Sequence, residues 1–243
     1  MLVEVCANSL DSALRAQEAG ADRIELCSEL GVGGITPSYG LIAMVKDRLA
    51  IPVHVLIRPR SGHFTYSPHE FQIMLADIEH CVSFGVDGIV SGVLLADHGL
   101  DIDRTRILVE RAGTLPVTFH RAFDWIPHPE SALKALEALG VRTVLTSGQA
   151  DSAEVGLANL AGWQRQTDMT VLAGGGIRPD NAERFLEAGL RAIHCSATAF
   201  ENKVATLDRI SMNSERHLAE DRIAVTNADL LRQIISAVKS KAV

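Results

Sequence analysis

The chain lacks the marks of several protein classes. No Cys-x-x-Cys pair occurs among its four cysteines, Cys6, Cys27, Cys81 and Cys195, and at 243 residues it is far larger than a disulfide-stapled scaffold. The cysteines are therefore expected to be reduced, and each is read separately as a buried filler, a metal ligand or a nucleophile. No run approaches the ~18 uninterrupted apolar residues of a membrane span. The opening "MLVEVCANSLDSA" has neither the cationic stretch nor the apolar run of a signal peptide. A cytoplasmic protein is expected. An excess of basic residues is missing too: the formal charge of −7 argues against nucleic-acid and membrane-surface partners, leaving only a local basic pocket open. No low-complexity segment or Pro/Gly/Ser-rich linker divides residues 1–243, so a single domain is expected. H-E-x-x-H and EF-hand patterns are absent, and Pro179 stands where a G-x-G-x-x-G motif needs its third glycine. No nucleotide cofactor is indicated.

What is present repeats. Apolar residues make up 47% and charged residues 22%, enough for one large core. Short β-rich runs ("LVEVC" 2–6, "RIELC" 23–27, "PVHVLI" 52–57, "GIVSGV" 88–93, "PVTFH" 116–120, "TVLTS" 143–147, "TVLAG" 170–174, "AIHCS" 192–196) alternate with helix-like stretches. Those stretches fall near 9–19, 37–49, 68–83, 103–112, 129–139, 152–166 and 180–188, with a last one near 227–240. Ser67-Pro68 and Arg178-Pro179-Asp180 read as helix starts, and Gly20, Gly85, Gly140 and Gly189 as helix ends. Eight strands each followed by a helix is the count of an α/β fold of the (β/α)8 TIM-barrel type; a doubly wound open sheet is the rival. The long connection at 197–225 breaks the even spacing and is a candidate lid or oligomer-contact segment.

In a barrel, alternate strand residues point inward and chemistry gathers at the strands' C-terminal ends. Alternation sends Val3, Val5, Ile24, Leu26, Val53, Val55, Ile57, Val117 and Phe119 outward to the helices. It leaves Glu4, Cys6, Glu25, Cys27, His54, Leu56, Arg58, Arg60, Thr118 and His120 inward. Glu25 and Arg58 come from adjacent strands and are placed to pair. Such a set is either a structural ion network or a chemical site, and charges of both signs meeting at the mouth favour the site. "TFHRAFDWI" adds His120, Arg121 and Asp124. His120 suits proton transfer, with Glu25 or Asp124 orienting or assisting it. Arg58, Arg60 and Arg121 suit a carboxylate or phosphate. Gly174, Gly175 and Gly176 after strand seven, with Ser196 after strand eight, read as an anion cradle or as a tight turn. In "LTSGQADS" (145–152), Thr146, Ser147 and Gln149 read as hydrogen-bond donors to a ligand, or the stretch is simply a helix start capped by Asp151 or Ser152. Cys6 and Cys27 end neighbouring strands in matching positions. They read first as small buried hydrophobes, and if they hold a metal, as a soft, low-coordinate site for Cu(I).

Together, "EVCANSLDSALRAQEAGADRIELCSELGVGGITPSYG", "IRPRSGHFTYS", "VTFHRAFD" and "VLTSGQ" resemble the CutC family, named for copper homeostasis, over residues 3 to about 200. The resemblance implies a single cytosolic (β/α)8 barrel that forms a homodimer or higher homo-oligomer, with a Cu(I) site at Cys6 and Cys27. One departure is Ser61-Gly62-His63-Phe64, where the family has Gly-Gly-Asp-Phe; an acidic group is missing from that mouth loop. Two functions are thus expected side by side. The resemblance points to copper homeostasis through Cu(I) binding. The residues themselves point to an enzyme acting on a small phosphorylated or carboxylated substrate.

Overall fold

Each β-rich run forms a strand, and the eight strands close on themselves. In the computed structural model, which describes residues 1–201 and 223–239, β1 (Leu2–Ala7), β2 (Arg23–Leu26), β3 (Val53–Leu56) and β4 (Gly88–Ser91) pair in parallel. The sheet continues through β5 (Val117–Phe119), β6 (Thr143–Thr146), β7 (Thr170–Gly174) and β8 (Ala192–Cys195). It closes where Glu4 of β1 registers with His194 of β8, while Cys6 registers with Glu25 of β2. The crossovers carry α1 (Leu10–Glu18), α2 (Tyr39–Arg48), α3 (Pro68–Ser83), α4 (Ile102–Ala112), α5 (Pro129–Ala138), α6 (Leu157–Gln164) and α7 (Ala182–Glu187). Seven βα units closed by an eighth strand form the barrel that the spacing predicts. Among the described residues no helix is long and apolar enough to cross a membrane.

Two cores result from the strand alternation. Val3, Val5, Ile24, Val53, Val55, Ile89, Val144, Val171 and Ile193 are fully buried between strands and helices. Each such side chain contributes ~1.5–3 kcal/mol relative to exposure. Inside the barrel, Leu145, Leu172 and Ala192 form one small apolar plug, and Cys6, Cys27, Leu56 and Val90 form a second. Between the cores of apolar atoms lie the buried polar groups Glu4, Glu25 and His54.

Helix boundaries follow local chemistry. The Ser67 hydroxyl accepts the Glu70 N–H and the Glu70 carboxylate accepts the Ser67 N–H, a capping box with Pro68 in the first turn of α3. Gly20 and Gly140, at φ 95° and 85°, follow α1 and α5 where an L-residue would be strained. The expected early proline of α7 is displaced: the helix begins at Ala182, and Pro179 lies in a turn closed by the Arg178 N–H on Asn181 Oδ1. Likewise α6 starts at Leu157 rather than near 152. Turns fill the gap because Gly148 and Gly156 pack backbone to backbone; a Cβ on Gly156 would stand 2.0 Å from the Ser147 carbonyl.

After β8 the chain departs from the repeat. β9 (Thr198–Glu201) and β10 (Ile223–Thr226) form an antiparallel pair, and α8 (Ala228–Lys239) follows. The pair is tied to α1 and its cap: Arg15 reaches Glu201 at 2.7 Å, and the Thr226 N–H donates to Ser12 Oγ. Leu231, Ile234 and Val238 of α8 join the outer core. The ends of the 197–225 segment are thus a docked stem; residues 202–222, on which a lid or oligomer contact would depend, lie outside the described residues.

Candidate functional site

A cavity of about 620 Å³ opens at the C-terminal mouth of the barrel, a size suited to a small molecule. One wall comes from β1, β2 and β8. Here strand alternation and register bring residues from the two ends of the chain into one line of ionisable groups. Arg23 Nε donates to Glu4 Oε2 at 2.5 Å, and His194 Nδ1 meets Glu4 Oε1 at 2.7 Å. The other His194 nitrogen, Nε2, stands 3.5 Å from Glu25 Oε2. Cys6, Glu25 and His194 all line the cavity and offer donor atoms within 4.8 Å of one another. Cys27 Sγ lies 3.5 Å from Cys6 Sγ but is fully buried behind it, outside the cavity lining.

These neighbours shift one another's proton affinities. Burial alone would raise the Glu4 carboxyl, but the His194 hydrogen bond and the Arg23 charge outweigh it and hold the group at about 2. Burial lowers His194, yet the Glu25 and Glu4 carboxylates raise it above its ordinary value, so His194 donates through Nδ1 to Glu4. Burial raises the Glu25 carboxyl against the pull of His194. The Cys6 thiol is pushed up by its contact with Cys27 and by burial.

The opposite wall comes from the ends of β5 and β6. His120 caps a 3-10 turn, Arg121–Trp125, and its Nδ1 accepts the Ala122 N–H at 3.2 Å. That bond puts the ring proton on Nε2, which is buried in the cavity wall without a partner among the described residues. Burial and the Arg58 charge lower His120 to about 3, so the ring is neutral. Asp124 is saturated. It accepts from Arg121 Nε at 2.8 Å, from the Thr146 hydroxyl, from Ser147 N–H and Oγ, and from the Gln149 N–H. Arg121 also donates through Nη2 to Ser147 Oγ, which leaves Nη1 over the Gly175 turn at the cavity rim.

Not every expected site residue reaches the cavity. Arg58 does, but it does not pair with Glu25: its Nη atoms donate to the Val32, Gly34 and Gly62 carbonyls at 2.7–2.9 Å. It clamps the two mouth loops together. Arg60 is turned away from the mouth, held by Glu70 and by the Ser61, His63 and Thr65 carbonyls. Its inward assignment fails because β3 ends at Leu56, and strand alternation has no force four residues later. Ser147 lies behind Arg121 and serves as its anchor, while Gly174 packs on Leu145. Gly175, Gly176 and Ser196 do line the cavity. His194 is the group that the sequence reading passes over. The alternation of Ile193 and Cys195 against His194 in "AIHCS" carries the signal.

Comparisons with known proteins agree with this architecture. The model of the CutC family matches residues 1–199. A CutC family protein of Chromobacterium violaceum is 49% identical over 199 residues, covering 81% of both chains. One of Salmonella agona is 47% identical over 197 residues, covering 81% of this chain and 79% of the relative. A crystal structure of CutC from Streptococcus agalactiae, a protein carrying a copper-homeostasis name, superposes with TM-score 0.77 at 32% identity. It covers 81% of this chain and 98% of its own. A thiamine phosphate pyrophosphorylase from Pyrococcus furiosus shares the fold at 15% identity and TM-score 0.62.

Proposed function

The chain belongs to the CutC family, and from the geometry of its barrel mouth we propose that it is an enzyme acting on a small anionic substrate. The observation that carries this reading is the His120 Nε2–H, a buried donor without a partner among the described residues, in the wall of a ligand-sized cavity. A buried donor left unpaired costs about 1–3 kcal/mol. A substrate oxygen placed there relieves that cost, and charge developing on the oxygen strengthens the bond. Because the Nδ1 lone pair of His120 is taken by the Ala122 N–H and Nε2 carries the proton, its role in this reading is hydrogen-bond donor rather than base. Arg121 Nη1 at the rim is the charge partner for a carboxylate or phosphate, oriented by Asp124 and Ser147. Arg58 holds the loops that frame the entrance. The test is a thermal-shift and calorimetric screen of small phosphates and carboxylates. A binding anion is expected to lose at least tenfold in affinity with Arg121→Ala and with His120→Ala. A hit indifferent to both changes would sink the reading.

A second reading, copper homeostasis through Cu(I) binding, is favoured by one observation: the two thiols stand 3.5 Å apart. By donor type the pair suits a soft ion. With metal–sulfur bonds of ~2.3 Å, a linear site would hold the sulfurs ~4.6 Å apart. The pair would have to open by roughly 1 Å against a tight neighbour, since Gly34 already packs on the Cys27 side chain. An anaerobic Cu(I) competition against a chromophoric chelator decides it. Tight binding that is lost in Cys6→Ser/Cys27→Ser supports copper; binding equal in both proteins removes it.

A further inference from the structure

We infer that Cys6, Glu25 and His194 form a site for one borderline-soft divalent cation of the zinc type, open on its cavity side. Three observations converge. The donors, one sulfur, one imidazole nitrogen and one carboxylate oxygen, all lie within 4.8 Å of one another. A tetrahedral zinc-type ion spaces its nitrogen and oxygen ligands by about 3.4 Å, and His194 Nε2 stands 3.5 Å from Glu25 Oε2. The third is the support behind the histidine. Glu4 accepts the Nδ1 proton at 2.7 Å and is itself held by Arg23, so that an incoming cation, by displacing the Nε2 proton, meets a lone pair already aimed at the other two donors. A carboxylate behind an imidazole is the usual backing of a metal-binding histidine.

The donor set also selects the ion. A thiolate and an imidazole are poor partners for magnesium or calcium, which take oxygen ligands. A carboxylate is a poor partner for Cu(I), which would favour the two sulfurs instead. Cys27 touches Cys6 but is not in the three-donor group and does not line the cavity. The described residues therefore supply three ligands, all of them facing the cavity, and leave a fourth position for water or substrate. That is the arrangement of a reactive rather than a structural zinc site. An ion there neutralises the two negative charges of a Cys6 thiolate and Glu25, and its own charge inverts the field that otherwise holds the Cys6 proton.

Binding of the cation rests on these donors alone; its use in turnover rests on the enzyme reading above. The test is a Co(II) titration of the chelator-treated 243-residue chain, followed by absorbance. Stoichiometric binding is expected, with tetrahedral ligand-field bands and one thiolate-to-cobalt charge-transfer band. Both should survive Cys27→Ser and weaken at least tenfold in Cys6→Ser and His194→Gln. Glu4→Gln should weaken binding ~10–100-fold without changing the spectrum. No stoichiometric binding by the wild type overturns the inference, as do bands that vanish with Cys27→Ser and survive His194→Gln. Should a variant fail to fold, X-ray absorption of the zinc-loaded wild type decides. One sulfur with nitrogen and oxygen neighbours supports the site, and two sulfurs overturn it. The His120 and Arg121 binding assay requires no metal, so either proposal can fail without the other.

Discussion

The two walls of the barrel mouth are built from the same kinds of residue and behave differently. On the β5–β6 side, His120, Arg121 and Asp124 lie within five residues of one another, and Thr146 and Ser147 end the next strand. There the acid is saturated by donors and the cation is pinned by the acid. On the β8–β1–β2 side, His194 and Glu4 meet across 190 residues of sequence. There burial and mutual charge shift Glu4, Cys6, Glu25 and His194, and the last three face one another in the cavity wall. A charged cluster that is local in sequence can satisfy itself, and it serves as a mount for one exposed guanidinium. A cluster that only the closed barrel assembles is held by the fold, so it can keep donors directed at a ligand.

The sharpest way to break this contrast is Glu4→Gln. Glu4 is the sole partner that joins Arg23 to His194 in the described residues, and removing one member of a buried pair costs about 3–5 kcal/mol. Denaturant unfolding should show a loss of about 3 kcal/mol or more, moderated by His194 giving up its proton. A loss below 1 kcal/mol would mean that the chain of charges is not integral to the barrel.

Asp124→Asn, on the opposite wall, is expected to cost less, about 2–3 kcal/mol. The amide keeps the shape but turns an NH2 toward donors that now face only an acceptor short. Because Arg121 loses its anchor, anion affinity should fall along with stability. Thr146→Val removes the Thr146 bond to Asp124 from that knot, together with the bond that Thr146 Oγ1 accepts from the Gly148 N–H, and should cost about 2 kcal/mol, with anion affinity unchanged. If Thr146→Val instead reduces binding as strongly as Asp124→Asn, the knot is part of the ligand contact and not only its mount.

Much of the fold was legible because its signals are local. Alternation in "LVEVC" and "RIELC" sorts the inner from the outer residues correctly, and Ser67-Pro68 marks the start of α3. The site was less legible where local rules stop applying. Arg58 and Arg60 look alike in "IRPR", but both lie beyond the last residue of β3. Their directions are set by which loop carbonyls and carboxylates reach them first. The Arg58–Glu25 pair fails for that reason, since three carbonyls take the guanidinium. His194 sits on a correctly placed strand. Its importance arises only when β8 closes on β1 and sets it against Glu4, a pairing separated by nearly the whole barrel. No window of sequence contains both partners.

Arg60 offers the smallest effect and the cleanest control for the cavity. Its guanidinium meets Glu70, whose carboxylate also receives the Ser67 N–H in the α3 capping box. The Arg60 hydrogen bond first, and then the Ser67 N–H, hold the Glu70 carboxyl down at about 2, against 4.5 for a free glutamate. Above pH 4.5 the carboxylate is ionised in both folded and unfolded chains, and its share of stability is complete. As the pH falls from 4.5 toward about 2, the unfolded chain takes up the proton first, and that share is progressively lost. Thermal melts of the wild type and Glu70→Gln should therefore converge across this window and differ above it. The pair is solvent-accessible, so added salt should shrink the difference. Arg60→Ala should reproduce the melting change while leaving anion affinity where it was, in contrast to Arg121→Ala. An anion affinity that falls equally in both would bring Arg60 into the site and erase the distinction between a clamp and a ligand contact.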